Sequence, residues 1–326
     1  MNVVVTGGAG MIGSNLVRKL VLEGHSVKVI DNLWRGSLDN LKDIECNTFS
    51  IDKNFILADL TNFSEWNEAF IDCDVVYHLA DIVAGIGYVF KNQGHIFRQN
   101  FLINTNVFYA IKLHKVKRLI YVGTACSFPQ ELQNSVTAVP LVEQQQYPAN
   151  PESAYGWSKL MGEYEALLLE KETDTDVVIL SFHNVYGYPT DFSSSRSQVI
   201  PSLIYKTLNI ETTELEVWGD GTQGRAFVYI DDIIQALFLA IEKGEGKGVI
   251  QIGPDHCTTI KEVSETIIQI TKSNKKIIYD ITKPKGDIGR CANYSKAKSC
   301  LGWEPKVNLE EGLTKTIEWI KSKIND

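Results

Sequence analysis

The chain has 326 residues, of which 44% are hydrophobic, and its formal net charge is −8. This length and composition predict a globular protein with a large core and exclude a fibrous or disordered chain. The acidic balance argues against a general affinity for nucleic acid or for anionic membranes, because both bind basic surfaces. An anionic substrate would have to be held by a few well-placed arginines.

The cysteines and the N-terminus indicate where the protein works. The six cysteines form no C-x-x-C pair and no metal-ligand spacing, which is typical of reduced thiols in a cytosolic protein without a metal site. No apolar run approaches the roughly 20 residues of a membrane span. The opening "MNVVVTGG" enters a strand at once, without a signal peptide's basic start and apolar core. We therefore expect a cytoplasmic protein.

Short apolar, β-branched runs alternate with helix-length amphipathic stretches from residue 1 to about residue 180. This alternation predicts successive βα units, whose parallel strands are covered on both faces and are therefore apolar throughout. The predicted fold is α/β, a Rossmann-like doubly wound parallel sheet. The predicted strands are "NVVVTG", "SVKVID", "NFILADL", "DVVYHLA", "RLIYVGT" and "DVVILSFHNVYG".

The C-terminal part has shorter elements, separated by turn-rich segments at 190–198, 217–227 and 243–248. Among them, "VYIDDIIQALFLAIEKG" predicts a buried helix that starts at Asp231 and Asp232 and packs back on the sheet. The final "NLEEGLTKTIEWIKSKIND" predicts an amphipathic helix. We predict one domain from residues 1–182 plus 228–243 and a smaller α/β domain from 183–227 plus 244–326.

The first motif, "VVVTGGAGMIGSNL", places Gly7, Gly10 and Gly13 between a strand and a helix. Side chains there would obstruct the tight turn, the strand–helix contact or the approach of a pyrophosphate to the helix N-terminus. Asp31 ends the next strand, where a carboxylate can accept from both hydroxyls of an adenosine ribose and would repel a 2′-phosphate. The pattern predicts NAD rather than NADP.

The second motif, "SAYGWSKLMGEYEALLL", places Tyr155 and Lys159 at positions i and i+4, on one face of a helix. The lysine ammonium would favour the phenolate and lower the tyrosine pKa toward working pH. Such a pair could take a proton from a sugar hydroxyl while a hydride leaves for a nicotinamide.

Together with "ADL" (58–60), "HLAD" (78–81), "VGTACS" (122–127) and "HNVYG" (183–187), these motifs resemble the extended short-chain dehydrogenase/reductase family of nucleotide-sugar epimerases and dehydratases. The resemblance continues through "VWGDGTQGRAFVYIDD" and "GDIGRCANYSKAKSCLGWEP" and so covers nearly the whole chain. It implies that the first domain holds NAD and that the smaller domain holds a nucleoside diphosphate sugar.

The resemblance also implies roles for individual residues. Thr124 matches a residue that hydrogen-bonds the sugar hydroxyl and Tyr155, and with Cys126, Tyr155 and Lys159 it forms the expected catalytic set. The expected cofactor-binding residues are Gly7, Gly10, Met11, Ile12, Gly13, Asp31, Asn32, Asp59, Leu60, Leu79, Ala80, Asn104, Tyr155 and Lys159. The expected substrate-binding residues are Gly85, Ile86, Asn184, Gln198, Val199, Arg225 and Arg290.

Among the substrate-binding residues, Asn184, Arg225 and Arg290 match groups that hold the substrate diphosphate, to which guanidinium binds bidentately. Ion pairing offers an alternative interpretation of the two arginines. Arg225 could instead pair with Asp231 or Asp232, and Arg290 with Asp287.

Cys126 distinguishes the branches of the family. Dehydratases resembling this chain carry an acidic residue there, so the resemblance argues against dehydration. Cysteine resembles the GDP-mannose 3,5-epimerase and GDP-fucose synthase branch, in which the thiol is one of two acid/base groups acting beside a ketone. The alternative is a small buried apolar residue. The second acid/base corresponds to Gln198, whose amide cannot transfer a proton, and Arg196 and His183 are the candidate substitutes.

We therefore expect NAD-dependent oxidation at carbon 4 of a nucleotide sugar, a GDP-mannose-type hexose or heptose, followed by epimerisation and re-reduction. The alternatives are a dehydrogenase that releases the 4-keto sugar, a UDP-sugar 4-epimerase and a non-enzymatic NAD-binding regulator. The resemblance also implies a homodimer through the helices near 95–114 and 153–171, against a monomer whose helices have one wide core face.

Overall fold

The computed structural model describes residues 1–135 and 139–325. Its strands are β1 Asn2–Thr6, β2 Ser26–Asp31, β3 Phe55–Leu57, β4 Val75–His78, β5 Arg118–Thr124, β6 Asp176–Phe182, β7 Asn184–Tyr186, β8 Glu214–Trp218, β9 Gly224–Arg225, β10 Phe227–Tyr229, β11 Val249–Ile252, β12 Thr258–Thr259, β13 Lys276–Asp280 and β14 Gly289–Arg290. Its α-helices are α1 Met11–Leu22, α2 Ile51–Asn54, α3 Ile86–Lys91, α4 Gln93–His114, α5 Ala154–Glu172, α6 Val199–Leu208, α7 Ile230–Lys243, α8 Ile260–Thr271, α9 Ser295–Leu301 and α10 Leu309–Asn325.

A seven-stranded sheet with the order β11-β6-β5-β4-β1-β2-β3 forms the centre of the molecule. Every strand pair in it is parallel, and Val3 of β1 lies opposite Val27 of β2 and Val75 of β4. The order reverses direction beside β1, which is the topological switch point where open parallel sheets bind ligands. The predicted α/β, Rossmann-like doubly wound fold is confirmed.

Helices cover both faces of this sheet. Val3 and Val5 of β1 belong to the hydrophobic cluster that includes α1 and α7, whereas Val4 between them belongs to the cluster on the side of α4 and α5. Successive strand side chains point to opposite faces, so a strand between two helical layers must be apolar throughout. The predicted helix after Asp231 is α7, and it contacts β5 and β6 as expected.

The small sheets are built from residues after 183. Strand β9 lies between β12 and β14, and Arg225 of β9 is in register with Arg290 of β14. The prediction that residues 244–326 lie wholly outside the first domain is wrong for β11, which pairs with β6 at the edge of the large sheet. The segment is too short for its partner to be predicted from local pattern. The rest of the domain division stays a prediction.

None of the helices in the described part of the chain is long and apolar enough to cross a membrane. Helices α4 and α5 pack on each other, and each also carries large apolar side chains on its outer surface. These exposed side chains are Phe101, Leu102, Tyr109, Leu113, Tyr164 and Leu168.

Candidate active site

A cavity of about 1330 Å³ opens outside the carboxyl ends of the central strands. It exceeds the roughly 300–1,000 Å³ of most small-molecule sites, which leaves room for a dinucleotide and a second ligand. Every predicted site residue lines it except Asn104 and Lys159. The fold therefore brings the predicted cofactor-binding and substrate-binding residues into one continuous space.

The glycine turn leaves an open backbone cradle at the start of α1. Gly7 has φ +71°, and a Cβ on Gly13 would lie 2.2 Å from the Gly7 carbonyl oxygen. Gly10 caps α1 without any side-chain hydrogen bond from the described residues. The first N–H groups of α1, from Met11 onward, are thus available at the positive end of the helix dipole, where a pyrophosphate fits.

Asp31 and Asp59 are acidic residues that line the cavity together with the glycine turn. Asp31 accepts hydrogen bonds from the backbone N–H of Ala9 at 3.0 Å and of Leu33 at 2.8 Å. Burial raises the Asp31 pKa, and two bonds leave part of its acceptor capacity for ribose hydroxyls. Asn32 donates to Asp59 Oδ2 at 3.2 Å, so the two carboxylates and the amide form a polar rim for an adenosine.

Thr124 and Cys126 stand where β5 ends. Thr124 Oγ1 accepts the Cys126 backbone N–H at 3.2 Å, which starts the short 3₁₀ turn 125–127. This turn directs the hydroxyl and the thiol toward the same cavity. Gly156 in α5 lets the helix approach, because a Cβ there would lie 2.2 Å from the Cys126 carbonyl oxygen.

Tyr155 has a partner that the sequence analysis did not anticipate. Its hydroxyl donates to Asp81 Oδ2 at 3.1 Å, and Lys159 Nζ lies 3.4 Å from the same oxygen. The Tyr155 pKa is raised well above its usual value, first by burial and then by the Asp81 charge. The predicted lowering of this pKa is wrong, because burial and the Asp81 charge raise it and the Lys159 ammonium is itself paired with Asp81.

Asn104 and Lys159 lie behind the cavity wall. Asn104 Oδ1 is 3.0 Å from His78 Nε2, and Asn104 Nδ2 donates to the Tyr121 hydroxyl. The Tyr121 hydroxyl in turn donates to the Lys159 carbonyl at 3.2 Å, and the ammonium sits over the Tyr121 ring. Asn104 does not line the cavity, and its role in cofactor binding stays a prediction. Its side chain contacts His78 of β4 and Tyr121 of β5.

Arg225 and Arg290 meet beside Cys126. Arg290 pairs with Asp287 at 2.9 Å, which is one of the two alternatives left by the sequence, and its Nε has no partner in the described residues. Arg225 donates instead to the carbonyls of Gly224 and Lys285. Burial, helped by the Arg290 charge, lowers the Arg225 pKa to about 10. Both guanidiniums interact electrostatically with Cys126.

The remaining predicted substrate-binding residues also line the cavity. Gly85 donates its N–H to the Arg196 carbonyl at 3.1 Å, and a Cβ on Gly85 would meet the Ser197 carbonyl. Gln198 caps α6 just before Val199. These residues line the same cavity as Cys126, together with Ile86 and Asn184.

Neither candidate substitute for the second acid/base is well suited to that role. Arg196 donates to the Trp34 carbonyl and lies 4.9 Å from the centre of the Trp34 ring. His183 Nε2 is 3.1 Å from Gln251 Oε1, and burial lowers the His183 pKa to about 3. His183 is therefore neutral at ordinary pH and fits a hydrogen-bonding role.

Glu163, one helical turn beyond Lys159, is a buried acid whose ionisation should be measurable. Ser127 Oγ lies 3.3 Å from its Oε1, and Gln146 donates to its Oε2. Burial raises the Glu163 pKa to about 7 from 4.5. The folded state then holds this proton more tightly than the unfolded chain, so the Glu163 contribution to stability falls as pH rises from 4.5 to 7.

We expect the wild type to lose about 3 kcal/mol of unfolding free energy relative to Glu163→Gln across that pH range. Urea denaturation of both proteins at matched pH values gives the difference, in which the other titrating groups cancel. A difference that does not change with pH would show that Glu163 has the same pKa in the folded protein as in the unfolded chain.

The parallel sheet and the glycine cradle define a Rossmann-fold dinucleotide-binding protein, and Tyr155 is its candidate catalytic residue. The chain belongs to the NAD dependent epimerase/dehydratase family, which matches residues 3–253. It is an enzyme of this family of nucleotide-sugar epimerases and dehydratases, and NAD is its cofactor.

Individual relatives match along almost the whole chain. The GDP-mannose 3,5-epimerase of Arabidopsis thaliana is 31% identical over 324 residues, which cover 99% of this chain and 83% of that protein. The UDP-glucose 4-epimerase of Thermotoga maritima, solved with UDP-glucose, has a TM-score of 0.88 at 29% identity and covers 99% of this chain and 100% of its own. The UDP-glucuronic acid 4-epimerase of Bacillus cereus, solved with UDP-glucuronic acid and NAD, gives 0.86 at 28% identity, with coverage of 99% and 100%.

Proposed function

We propose that the protein oxidises carbon 4 of a GDP-linked hexose or heptose, epimerises the 4-keto sugar beside the ketone and reduces it again. The observation that carries this proposal is the position of Cys126, in the same cavity as Tyr155 and facing two buried guanidiniums. Oxidation at carbon 4 acidifies the hydrogens at carbons 3 and 5, and a thiol can remove or deliver such a proton.

When bound, NAD supplies the hydride acceptor for the first step and the hydride donor for the last. The cradle at Gly7 and Gly13 would hold its pyrophosphate, and Asp31 its adenosine ribose. Thr124 would orient the sugar hydroxyl toward Tyr155, which exchanges the proton. Return of the hydride to the same sugar leaves no net redox change, which makes the overall reaction an isomerisation.

Arg225 and Arg290 would hold the diphosphate of the sugar nucleotide. Two adjacent buried guanidiniums repel each other, and of the two only Arg290 has a direct ion pair, with Asp287, although the charges of Asp287 and Glu152 act on both. A diphosphate supplies the missing negative charge and accepts bidentate hydrogen bonds. An acidic protein can therefore bind an acidic substrate at this one place.

Two features favour a GDP sugar. One is the similarity to the plant GDP-mannose 3,5-epimerase, and the other is Cys126 of this chain. Gln198 supports a second candidate, in which only carbon 4 is inverted or the 4-keto sugar is released, because an amide cannot serve as the second acid/base. The similarity to UDP-sugar 4-epimerases also fits that candidate. Exchange of sugar hydrogens with solvent distinguishes the two.

In deuterated water, we expect NMR to show deuterium entering carbon 3 or carbon 5 of GDP-mannose with the wild type. Cys126→Ala should lose at least about 90% of this exchange while keeping NAD reduction at carbon 4, because the thiol acts only after oxidation. Cys46→Ala, which removes an exposed thiol elsewhere, is the matched control and should exchange normally. Unchanged exchange in Cys126→Ala would exclude the thiol, and no exchange in the wild type would favour the carbon 4 candidate.

We also infer a cytoplasmic homodimer that pairs through α4 and α5. Their exposed apolar side chains, with Phe97 and Phe101 stacked on one another in α4, form a patch suited to a second copy. The mass of the protein in solution tests for the dimer, because one chain has a mass of 36.5 kDa and a dimer would have twice that mass.

A further inference from the structure

Asp81 occupies the centre of the catalytic group without belonging to either motif that predicted the site. It follows β4, and its side chain is 12% exposed. One oxygen, Oδ2, accepts the Tyr155 hydroxyl at 3.1 Å and lies 3.4 Å from the Lys159 ammonium, which is only 2% exposed. The same carboxylate oxygen therefore contacts both the phenol and the ammonium.

This arrangement changes which group can act as the base. The phenol proton points at a carboxylate, and both burial and the Asp81 charge raise the Tyr155 pKa well above its usual value. The phenolate is therefore disfavoured, and the phenol already donates its proton to a carboxylate oxygen 3.1 Å away. The other charged or titratable groups that interact with Tyr155 or Asp81 are Cys126 after β5, Tyr121 in β5 and Arg35 after β2.

We propose that Asp81 is a positioning residue that accepts the Tyr155 proton while Tyr155 takes the proton of the sugar hydroxyl. This inference rests on the proposed function. The sugar O–H bond breaks and a new O–H bond forms on the tyrosine oxygen, as the original tyrosine O–H bond breaks and one forms on Asp81 Oδ2. NAD, when bound, would supply the acceptor for the C–H electron pair of carbon 4, which would become a ketone. Re-reduction reverses each of these changes.

Once Asp81 has accepted the proton it is neutral, so Lys159 loses its counter-ion. A buried ammonium beside a neutral acid is unfavourable. In the state with the 4-keto sugar, Asp81 therefore tends to return its proton to Tyr155. Such a bias suits an enzyme that gives the hydride back to the same sugar rather than releasing a ketone.

The first test needs no sugar. The absorbance of tyrosinate is titrated in the NAD-bound wild type, Asp81→Asn and Tyr155→Phe, and the signal missing in Tyr155→Phe is assigned to Tyr155. In Asp81→Asn the Lys159 ammonium faces the phenol without a carboxylate, so Tyr155 should ionise at least about one pH unit lower. Identical titrations of the wild type and Asp81→Asn would overturn the proposal.

The second test is the pH dependence of NAD reduction by GDP-mannose. At about pH 6 we expect Asp81→Asn to be at least about tenfold slower than the wild type, and the deficit should shrink toward pH 9 as Tyr155 ionises by itself. Asp81→Glu keeps the carboxylate and should recover part of the rate at low pH. An equal loss at every pH would indicate a purely structural role and overturn the relay. If no nucleotide sugar causes the wild type to reduce NAD, the proposed function fails. The tyrosinate titration would still show whether Asp81 is coupled to Tyr155.

Discussion

Tyr155→Phe is expected to slow NAD reduction by a nucleotide sugar about 10²–10⁴-fold, the usual size of a general acid–base contribution. Tyr155 lines the cavity, and its hydroxyl donates to Asp81. Phenylalanine keeps the ring and its packing but can neither accept nor donate the proton. Stopped-flow absorbance of reduced nicotinamide measures the rate, and NAD affinity by tryptophan fluorescence should change less than about threefold.

Tyr164→Phe is the matched control for this substitution. Tyr164 lies on the same helix, α5, but its side chain is 55% exposed. Removing its hydroxyl should leave the rate of NAD reduction unchanged. A Tyr155→Phe enzyme as fast as Tyr164→Phe would show that another group exchanges the proton of the sugar.

The large sheet and the glycine cradle could be predicted because both depend on local sequence. Apolar β-branched runs of strand length that alternate with helices are typical of a parallel sheet with helices on both faces. The glycines at 7, 10 and 13 act through backbone that is adjacent in the chain. Strand β11 was assigned to the wrong domain, because its membership of the sheet depends on pairing with β6, far away in sequence.

The role of Asp81 could not be predicted, since it depends on two elements meeting. "HLAD" contributed to the family resemblance without giving Asp81 a role, and Tyr155 lies 74 positions further on. The helical i, i+4 rule placed Lys159 on the same face as Tyr155. It could not show that a carboxylate from the segment after β4 would pair with the ammonium. The expected sign of the Tyr155 pKa shift was wrong for that reason.

The two arginines show the same division between local and distant information. The pairing of Arg290 with Asp287 is local and was one of the alternatives, and it is present. The register that sets Arg225 beside Arg290 comes from β9 and β14, which are only two residues long and carry no strand pattern of their own. A sequence pattern cannot indicate such a pairing, although the cavity depends on it.

The second large effect is expected from Gly13→Ala, which should lower the free energy of unfolding by about 3 kcal/mol or more. Alanine within a helix is normally stabilising relative to glycine. At position 13, however, its Cβ would lie 2.2 Å from the Gly7 carbonyl oxygen and 2.5 Å from the Gly8 Cα. Backbone atoms of a buried turn cannot move aside cheaply, so β1 and α1 must separate. Urea denaturation without NAD measures the loss.

Gly10→Ala separates this packing effect from an effect on the cofactor. Gly10 has an ordinary φ of −77°, and its added Cβ would meet only the Gly7 carbonyl oxygen, at 3.3 Å. Its unfolding free energy should therefore stay within about 1 kcal/mol of the wild type, while its NAD affinity falls if the pyrophosphate approaches this backbone. Loss of stability in Gly10→Ala equal to that in Gly13→Ala would mean that the turn tolerates no side chain at all. A stable Gly13→Ala protein would mean that the strand and the helix are not in the close contact that forms the cradle.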